Sequence, residues 1–284
     1  MPNRIIIDPN KCTLCGDCIK ICGGKTLEIF DKTIVQSNPL MCCSCGHCAA
    51  MCVQNAIKSG SENKNTFIVN DFDKKQSEIE RLLSGKRSVR HFSKKDIEKS
   101  VLEKFVYYAE KAPSSSNKRR RKFIIISDEN KIIELEKAIL QKFNSLKIFV
   151  NPFTLALMKV FNKKLSLELS HMLKVVNQMN VEFEKKDYAV FRSAPYVICI
   201  VAPTRAEQAK DDCIIAQQYM MLYAESIGIG SCIIGYAQYA HKTVEKVLKV
   251  EKGYTVYAVA IFGHPKYEYK KEIQYNKQDK ITWI

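Results

Sequence analysis

Along this 284-residue chain, continuous apolar runs alternate with stretches in which apolar residues recur at helical spacing. The apolar runs predict buried strands, and they lie at residues 123–126, 196–202 and 256–262. Apolar stripes with helical periodicity predict the longest helices, which lie at residues 131–143, 150–186 and 211–227. Strands that alternate with helices indicate an α/β or α+β fold.

Shorter elements complete this pattern. A helix is predicted over residues 77–83 and ends at Gly85, and Asp96 is predicted to cap a second helix. The polar loop at residues 112–117 ends that second helix. After the helix predicted at residues 211–227, residues 230–236 are predicted to form a short extended segment.

The length and composition predict two domains joined by a linker. A chain of 284 residues is long enough for two domains. Residues 61–76 are polar and rich in lysine, so we expect them to link a small domain at residues 1–60 to a larger one at residues 77–284. The apolar share of 46% is typical of globular proteins. No run of about twenty apolar residues is present, which predicts no membrane partner.

The charge balance is strongly basic, with 45 Lys and Arg against 30 Asp and Glu, a net charge of +15. Most of the excess is lysine dispersed over predicted helix faces. The one compact cluster, residues 118–122, lacks interleaved aromatic residues and accompanies no nucleic-acid motif. We therefore expect no nucleic-acid partner, and interpret the basic residues as suited to a phosphorylated cofactor or an anionic substrate.

Eight of the twelve cysteines form two motifs with identical C-x₂-C-x₂-C-x₃-C spacing. Their members are Cys12, Cys15, Cys18 and Cys22 in the first motif and Cys42, Cys45, Cys48 and Cys52 in the second. Eight thiolates suffice for two 4Fe-4S clusters. The spacing favours these clusters over the two alternatives, tetrahedral zinc and disulfides. No leader peptide is apparent, and oxygen-sensitive clusters then predict a cytoplasmic, anaerobic setting.

Residues 3–59 resemble bacterial two-cluster ferredoxins, also in the I-D-P-N-K-C lead-in and the N-A-I exit. Gly23 and Val53 stand where that family usually has proline, and Cys43 is an additional thiol. In such ferredoxins the fourth cysteine of each motif binds the other cluster. The resemblance therefore implies one cluster on Cys12, Cys15, Cys18 and Cys52, and a second on Cys42, Cys45, Cys48 and Cys22.

Residues 77–270 resemble the nitroreductase family of FMN enzymes. The resemblance depends on four ordered motifs: K-R-S-V-R at residues 86–90, A-P-S-S-S-N at 112–117, G-I-G-S-C-I-I-G at 228–235 and A-I-F-G-H-P at 260–265. It implies an α+β fold, in which the small ferredoxin-like domain is followed by a mixed sheet flanked by helices. It also implies an obligate homodimer with an extended C-terminal arm.

The resemblance further implies which residues bind FMN. Basic side chains and a hydroxyl suit its phosphate, an asparagine suits the flavin edge, and glycine permits close backbone approach. The implied residues are Lys86, Arg87, Ser88, Arg90, Ser114, Ser115, Ser116, Asn117, Ile234, Gly235 and Lys270. Two protomers would build each site together. The run Arg119–Arg121 replaces the Gln-Pro-Trp common in the family. It suits binding of an anionic substrate or stabilisation of an anionic reduced flavin. The alternative is that these arginines form an ordinary solvated surface.

Together the two resemblances imply a flavin-dependent oxidoreductase. Its donor would be an external ferredoxin or NAD(P)H, and electrons would pass through two clusters and FMN to a small organic acceptor such as a nitro compound or quinone. The alternative is an electron-transfer or redox-sensing module that serves a protein partner. Relatives of this fold also fragment flavins or remove halogens. No catalytic residue is assigned. Four side chains are considered as proton donors: Tyr236, Tyr239, His171 and His241.

Overall fold

The computed structural model describes residues 5–42, 45–59, 67–70, 77–147, 150, 152–185, 189–269, 271–275 and 282–284. The chain divides into two compact units, each described here by itself. The cluster unit consists of Met1–Lys86 together with Tyr267–Ile284, and the catalytic unit consists of Arg87–Lys266. None of the helices in the described part of the chain is both long and apolar enough to cross a membrane.

The strands, in chain order, are β1 (Ile5–Ile7), β2 (Leu27–Phe30), β3 (Thr33–Gln36), β4 (Ile57–Ser59), β5 (Phe67–Asn70), β6 (Lys122–Ile126), β7 (Tyr196–Pro203), β8 (Gly230–Ile233), β9 (Tyr254–Gly263) and β10 (Glu272–Tyr275). The helices are α1 (Asp17–Ile21), α2 (His47–Met51), α3 (Glu78–Gly85), α4 (Lys99–Glu110), α5 (Glu129–Leu146), α6 (Pro152–Phe161), α7 (Lys163–Glu184), α8 (Ala209–Ser226), α9 (Gly235–Tyr239) and α10 (His241–Val247). Two short 3₁₀ turns lie at Pro39–Met41 and Ser115–Asn117.

The two cysteine motifs of the cluster unit have matching backbone structures. Gly16 and Gly46 adopt left-handed conformations, with φ of 77° and 73°, immediately before α1 and α2. Each helix is one short turn, and each ends at the fourth cysteine of its motif, Cys22 or Cys52, in an extended conformation. A left-handed conformation costs a residue with a Cβ more than it costs glycine. The glycines therefore allow the chain to reverse inside each motif.

The cluster unit is completed by a strand from the far end of the chain. β1 pairs with β4, β2 with β3, and β5 with β10, all antiparallel. Ile273 of β10 joins the hydrophobic core that surrounds the cysteines. This division differs from the predicted domain boundaries, because β5 lies in the predicted linker and both α3 and β10 lie in the predicted larger domain. Polar stretches can be recognised from amino-acid composition, whereas pairing between strands distant in sequence cannot.

The catalytic unit is built on a four-stranded antiparallel sheet with the order β6-β7-β9-β8. Within the described residues its parallel pairing is the isolated bridge between Ser88 and Ser231, which makes the sheet mixed. The central strand β7 is buried along almost its whole length. Val197, Cys199 and Val201 belong to the core beneath α5 and α10, while the intervening residues belong to the core beneath α4 and α8. Helices therefore cover both faces, as the continuous apolar run predicts.

Three local expectations are corrected by the structure. α4 begins at Lys99, and Asp96 does not cap it, because its carboxylate accepts a hydrogen bond from the Tyr196 hydroxyl. The single helix predicted at residues 150–186 is two helices, α6 and α7. Asn162 separates them, and its side chain accepts the Leu165 N–H at 3.0 Å. The extended segment predicted at residues 230–236 ends at Ile233, where α9 follows.

Candidate metal-cluster and cofactor sites

The structure brings together the four cysteines that the ferredoxin resemblance assigns to the first cluster. Burial, followed by the charges of Cys15, Cys12 and Cys52, raises the pKa of the Cys18 thiol to about 11. Thiols influence one another in this way only at short range. Cys52 is far from the other three in sequence, so its presence in this group fits the crossed arrangement.

A corresponding group surrounds Cys48. Burial, followed by the charges of Cys22, Cys42 and Cys18, raises the pKa of the Cys48 thiol to about 12. Cys22 is the fourth cysteine of the first motif, and it lies with members of the second. Cys18 belongs to the first group, so the two groups are neighbours. A buried thiol loses its proton when a metal compensates the charge, which couples cluster binding to deprotonation.

A cavity of about 310 Å³ adjoins the first group of cysteines. It is lined by Cys12, Cys15, Cys18 and Cys52, together with apolar residues such as Ile34 and Ile57. Among the described residues, no three His, Cys, Asp or Glu side chains are arranged as ligands of a single metal ion. The thiolates of a cubane each bind a different iron atom. The donor set and the apolar lining therefore fit a cluster.

Backbone hydrogen bonds to sulfur repeat between the two motifs. The Thr26 N–H donates to Cys22 Sγ at 3.4 Å, and the Ala56 N–H donates to Cys52 Sγ at 3.3 Å. In each case the donor lies four residues after the acceptor. Hydrogen bonds to cysteine sulfur stabilise the charged form and influence cluster potentials. These hydrogen bonds therefore stabilise the thiolate form of the fourth cysteine in both motifs.

The C-terminal segment makes hydrogen bonds to the second cysteine motif and to the turn that follows it. The Tyr269 hydroxyl and His47 Nδ1 are 3.0 Å apart, and the two rings are 4.9 Å apart. Lys271 Nζ donates to the Cys52 carbonyl at 3.3 Å and to Asn55 Oδ1. These contacts have no signature in the local sequence, and they were not predicted.

The second candidate site is a cavity of about 680 Å³ in the catalytic unit. Of the predicted cofactor residues it contains Arg90 and the backbone of Ile234 and Gly235. It also contains Arg192 and Lys142, which the sequence did not reveal. Burial, followed by the nearby charge of Arg90, lowers the pKa of the Arg192 guanidinium. The cavity therefore combines two guanidinium groups with a largely apolar wall.

Ser88 and Arg90 are positioned by the edge of the sheet. The Val89 N–H donates to the Ser231 carbonyl at 3.0 Å, and Ser88 bridges Ser231 in parallel. Arg90 Nη1 donates to the Ser88 carbonyl at 3.3 Å, which directs its side chain into the cavity. Gly230 permits this close pairing, because a Cβ there would lie 2.7–2.8 Å from Val89 side-chain atoms.

The loop containing Ser114, Ser115, Ser116 and Asn117 lies elsewhere in the catalytic unit. Ser115 lines a smaller cavity of about 150 Å³ rather than the large one. Ser116 and Asn117 have left-handed backbones, with φ of 50° and 52°. Such conformations require support from surrounding structure. Within the catalytic unit, therefore, the predicted cofactor residues form two separate sets.

Arg121 and Asp212 provide the support for this loop. The buried Arg121 guanidinium donates to the carbonyls of Ala112 at 2.8 Å, Pro113 at 3.2 Å and Asp212 at 3.1 Å. The Asp212 carboxylate accepts the Ser115 N–H at 3.0 Å. Arg121 is therefore a structural residue, and the predicted role of the whole arginine run in anion binding does not apply to it.

The remaining predicted residues have varied positions. Lys86 caps the end of α3 in the cluster unit, Arg87 is half-buried, and Lys270 lies outside the described residues. Among the proton-donor candidates, Tyr236 and Tyr239 line the large cavity, and burial raises the pKa of the Tyr236 phenol. The two histidines do not line it. His241 contacts Glu245 at 3.0 Å, and His171 is exposed on α7.

Comparison with known proteins now decides the family. Residues 83–264, more than half of the chain, match the model described as the nitroreductase family. The chain is a member of the nitroreductase family. Residues 4–53 match the model of a 4Fe-4S dicluster domain. This family member is therefore an oxidoreductase with an N-terminal 4Fe-4S domain, and its predicted family and α+β fold class are confirmed.

Solved structures of other family members share this fold. A nitroreductase with bound FMN from Bacteroides fragilis NCTC 9343 is 21% identical with a TM-score of 0.56, and the match covers 74% of this chain and 100% of that one. A nitroreductase with bound FMN from Desulfitobacterium hafniense DCB-2 is 21% identical with a TM-score of 0.54, covering 74% and 99%. No curated protein matches the chain. At these identities the likeness establishes the fold.

Proposed function

We propose that this nitroreductase-family protein passes electrons from two 4Fe-4S clusters through FMN to a small organic acceptor, such as a nitro compound or quinone. The observation that carries this proposal is the large cavity of the catalytic unit, where Arg90, Ile234 and Gly235 meet although they are distant in sequence. A chain with this cavity and two four-cysteine motifs has a part for one-electron transfer and a part for acceptor reduction.

The two clusters are assigned in the crossed arrangement. Cys12, Cys15, Cys18 and Cys52 hold one cluster, and Cys42, Cys45, Cys48 and Cys22 hold the other. The groups of thiols around Cys18 and Cys48 support this assignment. Reduced ferredoxin is the proposed external donor, with NAD(P)H as the second possibility. The basic surface of the chain, with a net charge of +15, favours encounter with an acidic donor.

The cofactor residues of the catalytic unit fit FMN. Arg90 and Ser88 offer a cation and a hydroxyl to its phosphate, together with Arg87 from the same motif. Backbone at Ile234 and Gly235 would contact the flavin, and a Cβ at Gly235 would meet nothing within 4 Å, so space remains there. FMN, when bound, exchanges electrons singly with clusters and in pairs with an organic acceptor.

A second protomer completes each flavin site. Ser114, Ser115, Ser116 and Asn117 do not line the large cavity of their own chain, so we assign them to the flavin of a partner subunit in a homodimer. The anchoring of this loop by Arg121 and Asp212 supports a binding role, because it holds the loop in a strained conformation.

The wall of the cavity suits a flat, apolar acceptor with an electron-rich or anionic substituent. Phe143, Met172 and Met179 supply apolar surface, and Arg192 supplies a partly buried cation. Tyr236 is the assigned proton donor, because it lines the cavity beside Ile234 and Gly235. Methionine and aromatic walls adapt to differently shaped acceptors.

The proposal is tested by counting cofactors in protein purified without oxygen. We expect about eight iron atoms, about eight sulfide ions and about one FMN per chain. Zinc in place of iron would contradict the cluster assignment, and absence of flavin after reconstitution would contradict the FMN assignment. Turnover is then compared between small acceptors and candidate protein partners, since preference for a protein would favour an electron-transfer module over an enzyme of small molecules.

A further inference from the structure

The C-terminal segment contributes several side chains to the interior of the cluster unit. Tyr269 and Ile273 pack in the hydrophobic core around the cysteines, and Lys271 between them is only 7% exposed. Its neighbour Glu272, the first residue of β10, is also buried, at 8% exposure. Lysine is rarely buried to this degree without a partner. The burial of Lys271 therefore depends on the groups that its ammonium contacts.

Lys271 is held against the ligand loop of one cluster. Its Nζ donates to the Cys52 carbonyl at 3.3 Å and to Asn55 Oδ1. Both acceptors are neutral oxygen atoms, so these two contacts orient the ammonium without cancelling its charge. The positive charge is thus fixed beside Cys52, a proposed ligand of the cluster with Cys12, Cys15 and Cys18.

This contact distinguishes the turns that follow the two motifs, which share the same backbone hydrogen bond. In each motif the backbone N–H three residues after the fourth cysteine donates to that cysteine's carbonyl, from Lys25 to Cys22 at 3.0 Å and from Asn55 to Cys52 at 3.2 Å. The Cys52 carbonyl accepts in addition from Lys271. The C-terminal segment therefore adds a cation to one side of a nearly symmetrical pair.

The charge lies close enough to act on the cluster. A cysteine's carbonyl oxygen and Sγ are four bonds apart, which places the ammonium within about 8 Å of Cys52 Sγ. Burial reduces screening by solvent and salt, so attraction over this distance is substantial. Asp17, which lines the cavity beside the same cysteines, is paired with Lys20 at 3.1 Å, and so its charge is partly compensated.

We propose that Lys271 raises the reduction potential of the cluster at Cys12, Cys15, Cys18 and Cys52 above that of the second cluster. This inference rests on the proposed function, since it requires both clusters. One electron from the external donor makes an already anionic cluster more negative, and the Lys271 ammonium stabilises that added charge. Net charge and hydrogen bonding are among the factors that set such potentials. Lys271 thereby makes this cluster the preferred holder of the first electron.

The test is a redox titration of the full-length holoprotein, followed by electron paramagnetic resonance. Lys271→Gln keeps a hydrogen-bond donor but removes the charge, and Lys271→Arg keeps the charge. Lys58→Gln is the matched control, because Lys58 is an exposed lysine of the same unit. We expect Lys271→Gln to lower the midpoint of one cluster signal only. Lys271→Arg and Lys58→Gln should leave both midpoints where they are in the unmodified protein.

Unchanged midpoints in a fully loaded Lys271→Gln protein would overturn the inference while leaving the proposed function intact. An equal shift in Lys58→Gln would also overturn it, because any surface charge would then act alike. Loss of iron from Lys271→Gln but not from Lys271→Arg would support a requirement for the charge. Loss from both variants would make Lys271 a structural residue and contradict the inference. Absence of clusters from the unmodified protein would contradict the proposed function itself.

Discussion

The two units of this protein assemble their sites in opposite ways. In the cluster unit, the proposed ligands all lie between Cys12 and Cys52, and turns at Gly16 and Gly46 reverse the chain inside each short motif. In the catalytic unit, Arg90 and Gly235 reach one cavity only through the pairing of strands distant in sequence. Ligands that lie in short motifs can be recognised from the sequence, whereas a cavity formed by the pairing of distant strands cannot. The units should therefore fail independently when mutated.

The largest expected effect comes from removing one cluster ligand. Cys18→Ala should abolish one cluster, and with it about half of the iron, because a cubane that lacks a thiolate ligand is labile. FMN content should be unchanged if the catalytic unit builds its site alone. Iron and flavin are measured in the same anaerobic sample. Cys43→Ala is the control, since we predict Cys43 to be a bystander. Equal iron loss in the control would contradict the assignment of Cys18 as a ligand. Flavin loss in Cys18→Ala would contradict the independence of the two units.

A smaller but substantial effect is expected at the loop anchor. Arg121→Met should lower the free energy of unfolding of the catalytic unit by about 3 kcal/mol, because three carbonyls lose the donor that a buried guanidinium supplies and the Glu110 carboxylate at 3.5 Å loses its cation. Arg120→Met at the adjacent exposed position should change it by less than about 0.5 kcal/mol. Denaturant unfolding followed by circular dichroism gives both values. Similar values for the two variants would refute the structural role of Arg121.

Two glycines of the catalytic unit should respond differently to alanine. Gly230→Ala should destabilise the unit by about 2 kcal/mol, since its Cβ would lie 2.7 Å from Val89. The Cβ added by Gly235→Ala would meet nothing within 4 Å, so this variant should leave the free energy of unfolding nearly unchanged. It should weaken FMN binding, because the Cβ would occupy space beside the proposed flavin site. Thermal unfolding of apoprotein and flavin titration separate the two effects. A stable Gly230→Ala protein would show that the pairing of Val89 with Ser231 tolerates displacement.

The smallest of these effects concerns one phosphate contact. Arg90→Ala should weaken FMN binding about tenfold, or roughly 1.4 kcal/mol, because one charge-assisted hydrogen bond is lost. Lys104→Ala, an exposed change on α4, should leave the affinity unchanged. Quenching of flavin fluorescence on titration into apoprotein gives both dissociation constants. Equal affinities in the two variants would exclude Arg90 from the phosphate site.

The comparison also explains which features could be predicted from the sequence. The apolar runs predicted β7 and β9 because a strand buried on both faces has few polar positions. The run at residues 123–126 predicted the position of β6 but not its burial, because β6 is an edge strand in which only Ile126 is buried. The return of β10 to the cluster unit could not be predicted, since its partner strand β5 is distant in sequence. Arg192 and Lys271 were missed for the same reason. Each is an ordinary basic residue until the tertiary structure shows what it contacts.

The central claim is that electrons reach FMN through the clusters, and anaerobic stopped-flow spectroscopy tests it most directly. Reduced ferredoxin is mixed with the full-length holoprotein, and flavin bleaching is followed beside the Cys18→Ala and Cys48→Ala variants, each loaded with FMN. The account predicts that bleaching by ferredoxin is fast in the unmodified protein and is slowed at least tenfold in both variants, with chemical reduction of free FMN unaffected. Equal bleaching rates in all three proteins would contradict it.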